Sequence, residues 1–452
     1  MNSRRLMIAG ALAATVFAFP TMASARPHRC FGKKATIVGS KDDARIVGTK
    51  HADVIVGGSG SERIVGRGGD DRICGRRGDD SISGKGGDDR IATGPGNNGI
   101  SGDQGDDILQ GGSGPDDDAD YVFASHGVTA SISGGFARGQ GHDVLRGRID
   151  ELFGSLEHAD TLVGDGRGQL LVGFGGNDKL RGGGGDDLLA GGSGNDDIHG
   201  GGGAFDILDD ADFGGPGTGG ALHLDLAAGI ETGHGTDSLD AIEGDYGSPG
   251  DDILTGNKGQ NVLVGGDGDD MISGGKGPDV VEGDFGNDTL DGGPGTDYSS
   301  SFGSPTAVDV DLAAGTLTGA VPADDTDSLA AIEDVQGSGF DDMITGDGAP
   351  NALRGDQGGD TISGAAGDDI LIGDCGPASG VHFFFEDVFD CSSPGSPDSL
   401  DGGSDTDLCT EGETVVGCES PKAIRSAGRA LGARVRMTRA ALGAAGTAST
   451  KP

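Results

Sequence analysis

The chain has no tryptophan, and aromatic residues make up only 4% of its 452 positions. Lysine and arginine together number 32 against 74 acids, a formal net charge of −42. A conventional core built round large side chains is excluded for most of this length. So acidic a surface also argues against nucleic acid as a partner. Long hydrophobic runs are almost missing. The one that exists, Leu6 to Phe19, is too short to cross a bilayer. Arg4 and Arg5 precede it and Ala23-Ser24-Ala25 follows, the order of a secretory signal peptide with cleavage expected after Ala25. A secreted, extracellular or cell-surface protein without transmembrane insertion is therefore expected, and six cysteines suit such an oxidising compartment.

Catalytic signatures are missing as well. There is no His-Glu-x-x-His, no Gly-x-Ser-x-Gly elbow and no phosphate-binding Gly-Lys-Ser/Thr loop. His51, His126, His142, His158, His199, His223, His234 and His382 are scattered, so no catalytic metal is expected from their spacing.

What is abundant is glycine, 95 of 452 residues, where about 7% is usual. High charge with modest hydrophobicity would ordinarily mean disorder, but a strict internal period points the other way. Residues 66–92, "GRGGDDRICGRRGDDSISGKGGDDRIA", are three lines of nine. Each has glycine first and fourth, aspartate sixth and isoleucine eighth. From Gly39 the sixth position reads Asp53, Glu62, Asp71, Asp80, Asp89, Asn98, Asp107, Asp116, and the eighth runs from Ile55 to Leu109. The frame returns in three blocks. They carry Asp160, Asp178, Asp187, Asp196 and Asp206; then Asp252, Asp270, Asp279, Asp288 and Asp297; then Asp342, Asp360 and Asp369. An isolated line puts Asp407 and Cys409 in the same slots.

The interruptions repeat too. "LHLDLAAGIETGHGTDSLDAIEG" from Leu222 and "VDVDLAAGTLTGAVPADDTDSLAAIED" from Val308 are related, each followed by Gly-Ser and a new block, and a weaker relative starts at Val128. Alternation such as Val308-Asp309-Val310-Asp311-Leu312 predicts a strand with one wet face. Each interruption is read as a strand pair that extends the stack. The expected organisation is a signal peptide at 1–25, a lead-in and first roll at 26–119, and insertion-plus-block units at 120–209, 210–301 and 302–374. A disulfide-stapled cap follows at 375–419, then a disordered basic tail at 420–452.

One line of nine has a direct physical reading. Glycine permits the positive φ and close approach of a tight turn. The piece after the acid is a three-residue strand whose single aliphatic faces inward. Two lines make one coil of about eighteen residues, and successive aliphatics stack into a thin core. The acids then form columns that repel one another unless a hard divalent cation with oxygen ligands, Ca2+ rather than Mg2+, lies between them. The extra acids at fifth positions, such as Asp70, Asp79 and Asp88, are read as outward and solvating.

These lines match Gly-Gly-x-Gly-x-Asp-x-U-x, U being aliphatic, and the chain resembles the secreted RTX (haemolysin-type) calcium-binding repeat proteins. The resemblance covers most of residues 39–375. It implies an all-β, right-handed parallel β-roll, or β-solenoid, of nonapeptide repeats interrupted by three β-hairpin-like insertions. It also implies multiple Ca2+ ions held between alternate lines. Carried over, the pairs are Asp53 with Asp71, Asp71 with Asp89, Asp89 with Asp107, and Glu62 with Asp80. Further along they are Asp178 with Asp196, Asp252 with Asp270, Asp270 with Asp288, Asp279 with Asp297, and Asp342 with Asp360. Asp160, Asp187 and Asp369 hold the same slot. Glu62, Asn98, Gln169, Asn261 and Asn351 depart from the aspartate rule, so sites using them are expected to be weak or empty. On the order of ten to fifteen ions would offset half to two thirds of the charge, and binding and folding become one event.

Six cysteines allow fifteen pairings. One set, Cys30–Cys74, Cys375–Cys391 and Cys409–Cys418, fits their places in the repeat, and the others stay open. Phe383, Phe384, Phe385 and Phe389 read as a plug over the end of the roll, with a docking patch as the alternative. The expected function is non-enzymatic: a calcium-binding structural or interaction protein outside the cell, with cell-envelope or extracellular polymers as partners. The competing reading is a glycan-acting solenoid enzyme with a site on the insertions, using Glu243, Glu333 or the histidines.

Overall fold

Three-residue strands such as Arg72–Cys74 and Arg90–Ala92 are too short to stand alone, and each buries only its middle residue. They are stabilised by stacking. Ile55 pairs with Ile73 and Ile73 with Ile91 in parallel register, while Ile46, Ile64 and Ile82 do the same on the opposite side. The result is a parallel β-solenoid of two facing sheets, with no helix among the described residues, as the period predicts. The computed structural model describes residues 28–40, 45–210, 220–319, 326–374, 399–401, 407–410, 414–416 and 418–419. The first 27 residues, the segment holding Phe383 to Phe389, and everything from 420 onward lie outside them, as do Cys375 and Cys391. Cys409 and Cys418 are described by backbone alone, on strands of one sheet. Among the described residues no helix is long and apolar enough to cross a membrane.

The inward aliphatics form one continuous cluster from Ile46 to Leu400, nearly all fully buried. At the N-terminal end a short antiparallel pair, Arg29–Cys30 with Lys33–Lys34, lies against the first coils. It is tied down by the expected Cys30–Cys74 disulfide, with Cα atoms 5.7 Å apart. Arg90 lies over the Phe31 ring, 4.1 Å from its centroid.

Each interruption adds three strands rather than the expected pair. In the first they are Thr129–Ser131, Phe136–Arg138 and His142–Arg146, joined as an antiparallel meander. The chain overshoots and then folds back. The last of the three pairs with the preceding coil at Ile108–Gln110, and the first pairs with the following coil at Thr161–Val163. The second insertion (His223–Asp225, Ile230–Thr232, Thr236–Asp240) and the third (Asp309–Asp311, Thr316–Thr318, Thr326–Ala330) repeat this order. The other sheet continues without extra strands, Asp118 pairing directly with Glu151 and Ile207 with Gly244. The insertion-bearing sheet is therefore longer by two strand spacings, roughly 10 Å, at each site. Additional inward residues occupy the widened interior, among them Tyr121, Val128 and Ile149 in the first insertion.

Candidate metal centre

The turns carry two acid columns, one entering each sheet. In the column entering the insertion-bearing sheet, the backbone N–H of Asp53 donates to Asp71 Oδ1 at 2.7 Å, that of Asp71 to Asp89, and that of Asp89 to Asp107. The same bond joins Asp160 to Asp178, Asp178 to Asp196, Asp252 to Asp270, Asp270 to Asp288, and Asp342 to Asp360. In the opposite column it joins Glu62 to Asp80, Asp279 to Asp297, and Asp187 to Asp206. Asp369 accepts from Asn351. Every acid pair expected from the repeat is thus brought onto adjacent coils, because an eighteen-residue coil in parallel register superposes like positions.

These bonds use one oxygen of each carboxylate. The second is the informative one. Oδ2 of Asp71, Asp89, Asp107, Asp178, Asp187, Asp196, Asp270, Asp279 and Asp297 is buried with no hydrogen-bond partner. It lies against the glycine that opens the line, which explains that glycine. A Cβ on Gly84 would collide with Asp89 Oδ2 and press on the Gly102 carbonyl oxygen at 3.0 Å. The glycine at position four has a different reason, since Gly87 turns at φ +116. At Gly66 and Gly265 as well, a carboxylate oxygen and the next coil's carbonyl oxygen converge on the same small space. Two acceptors facing one another without a donor call for a cation, and an all-oxygen set suits a hard ion such as Ca2+.

The electrostatics agree. Burial pushes the Asp89 and Asp187 carboxyls up to about 8, with like charges on neighbouring coils adding to it against the N–H bonds that oppose it. Burial likewise takes Asp80, Asp107, Asp178, Asp270 and Asp279 to about 7, and Asp71, Asp196 and Asp297 to about 6. Stacked acids without a counterion are reluctant to ionise.

The first acid of each block is handled differently. Thr49, Ser155, Ser248 and Ser338 donate their backbone N–H to Oδ2 of Asp53, Asp160, Asp252 and Asp342 at 2.6–2.7 Å. The three serine hydroxyls add bonds to Oδ1 of their acids. The Gly-Ser pair that reopens each later block is thus a cap on its first carboxylate. Fifth-position acids are exposed, as expected, yet they form an outer ladder running the other way. Asp70 Oδ1 accepts from Asp88 N–H on the next coil, and Asp88 Oδ1 accepts from Asp106.

Sequence reasoning missed several column members. Asp107 N–H donates to Asp143, Asp196 to Asp237, and Asp288 to Asp327, so the last strand of each insertion carries a sixth-position acid. The signal was present, because Leu145, Leu239 and Leu329 follow two residues later in the aliphatic slot. Asp117, not Asp116, accepts from Asn98 N–H, and Asp116 belongs to the outer ladder, since one extra residue slips the frame there. Glu243 accepts from Asp206 N–H and Glu333 from Asp297 N–H, which places both in the second column.

The family of RTX calcium-binding nonapeptide repeats matches the chain at residues 47–82, 83–118, 172–204, 246–281, 264–298 and 345–374. No curated protein matches it.

Proposed function

We propose that this chain, an RTX-type repeat protein folded as a calcium-binding β-roll, is a secreted structural or interaction protein that folds as it takes up Ca2+ outside the cell. The observation that carries the reading is the array of buried Oδ2 atoms without partners. Interior pairs such as Asp71 with Asp89, Asp178 with Asp196, Asp270 with Asp288 and Asp279 with Asp297 would hold the ions. The ions would supply charge neutralisation and ties between coils. The capped acids Asp53, Asp160, Asp252 and Asp342 would contribute less, and Glu62 would be a weak ligand because its carboxylate already accepts from the N–H groups of Gly58 and Gly60. Low calcium inside the cell would leave a self-repelling, export-competent chain, and high calcium outside would fold it.

Glu243 and Glu333, the two acids named for the competing glycan-acting reading, are engaged in the column, which supports the non-enzymatic reading. The test is a calcium titration of the purified chain by circular dichroism, with bound metal counted in parallel. Strand signal should collapse in excess chelator at neutral pH and return with calcium. A roll that keeps its strand signal without calcium would overturn the proposal. Calcium-dependent pull-down from envelope and extracellular polymers then tests the partner class, and loss of export on deleting residues 1–25 tests the route.

A further inference from the structure

The three insertions share one topology, so their residues can be compared position by position, and the second departs from the other two at four places. Asp245 sits in the inward aliphatic stack between Leu208 and Leu263. Leu152 and Val335 hold that place in the first and third insertions, paired with Ala119 and Ser299. Glu231, between Leu224 and Asp237 in the middle strand, corresponds to Ala137 and Leu317. Asp210, whose N–H donates to the Tyr246 carbonyl, corresponds to Tyr121 and Ser301, which make the same backbone bond. His234 follows Gly233 at φ +148, where Gln140 follows Gly139 at φ +147, and the sequence has Ala320 after Gly319. Four positions that are uncharged in the first and third insertions are Asp, Glu, His and Asp together in the second.

Three of these side chains converge, and the fourth, Asp245, touches Asp210. The ligand atoms of Asp210, Glu231 and His234 lie within 4.8 Å of one another, and His234 Nδ1 is 4.0 Å from Asp210 Oδ1. Asp245 is fully buried, and no donor outside the acid pair reaches either of its oxygens or Oδ2 of Asp210. The two carboxyls are in contact, which is a hydrogen bond only if one of them holds a proton. Burial, and then the neighbouring acids, push Glu231 and Asp245 well above the usual carboxylate range. An apolar stack that admits three carboxylates gains nothing from them unless a cation is enclosed.

We infer that the second insertion encloses a transition-metal site, formed by Asp210, Glu231, His234 and Asp245, that is distinct in chemistry from the calcium columns. The imidazole nitrogen decides the class. Calcium takes oxygen ligands, whereas a mixed nitrogen and carboxylate set suits a divalent first-row ion such as zinc. Side-chain exposures of 4% for His234 and 6% for Asp210 make the site closed, so the ion would be structural. It would tie the meander strand of one sheet to the continuous strand of the other, halfway along the roll.

The test uses the full chain in saturating calcium, so that the turn sites are filled and the two readings fail separately. Zinc is added, with manganese as the comparison, and bound metal is measured by elemental analysis and calorimetry. The expected result is about one zinc per chain beyond the calcium, with affinity weakened roughly tenfold or more in His234→Gln. A quadruple variant carrying the third copy's residues (Asp210→Ser, Glu231→Leu, His234→Ala, Asp245→Val) should keep its strand signal and bind no zinc. The inference is overturned if the wild-type chain takes up neither ion, or if His234→Gln binds zinc as tightly as wild type. The second criterion holds whether or not the quadruple variant folds.

Discussion

The two acid columns are built from the same repeat, yet they differ. The column entering the insertion-bearing sheet is aspartate from Asp53 to Asp360 except where the first strand of each insertion begins, at Val128, Leu222 and Val308, whose N–H groups donate to Asp160, Asp252 and Asp342. Its counterpart is broken by Glu62, Asn98, Gln169, Glu243, Asn261, Glu333 and Asn351. The breaks close themselves. Asn98 Nδ2 donates to the Gly96 carbonyl and to Asp117 Oδ1, both at 2.7 Å. Asn261 and Asn351 donate to the carbonyls of Glu243 and Glu333 one coil earlier, while their own Oδ1 atoms accept a turn N–H. An amide brings a donor that a carboxylate lacks, so such a turn is satisfied without an ion. One edge of the roll is therefore committed to cations along its interior, and the other mixes cation-dependent with self-sufficient turns.

The largest expected effect is on the chelated protein. Interior carboxyls are held at about 6 to 8 in the fold against the ordinary 3.8. Between those values the folded chain binds more protons than the unfolded one, so the stability of the metal-free roll falls as pH rises. In excess chelator, circular dichroism should show strand signal growing as pH drops from about 8 towards about 4. A flat profile would mean that the columns are not the obstacle to folding. Next in size is an exchange between columns. Asp89→Asn should lower bound calcium by about one ion and raise the calcium midpoint severalfold. Asn98→Asp should make its turn newly calcium-dependent, and equal responses from the two would erase the contrast. Ser248→Ala removes the hydroxyl that caps Asp252, costing about 1–3 kcal/mol in thermal unfolding at saturating calcium with the ion count unchanged. Smallest is Asp88→Ala in the exposed outer ladder, where water can replace the lost acceptor and a change within about 0.5 kcal/mol is expected.

Much of this was legible beforehand, for a specific reason. A nine-residue line alternates turn and strand, so its sixth and eighth positions must meet their equivalents two lines on, and Ile55, Ile73 and Ile91 with Asp53, Asp71 and Asp89 follow directly. Two kinds of feature were hidden. Asp143, Asp237 and Asp327 stand in the frame but at the end of chain segments that fold back, so their coil neighbours are 36 to 41 residues away. The capping serines and self-satisfied amides depend on where a single oxygen points, and the repeat is silent on that.

The order of residues alone determined the coil, its aliphatic core, and which acids stack, because uniform parallel register carries a local period through the whole roll. Only the tertiary structure decided which carboxylate oxygens are left without donors and that each insertion is a three-stranded detour. It alone brought Asp210, Glu231, His234 and Asp245 into one interior. Those contacts join positions with no common spacing, and they exist only once the chain has doubled back on itself.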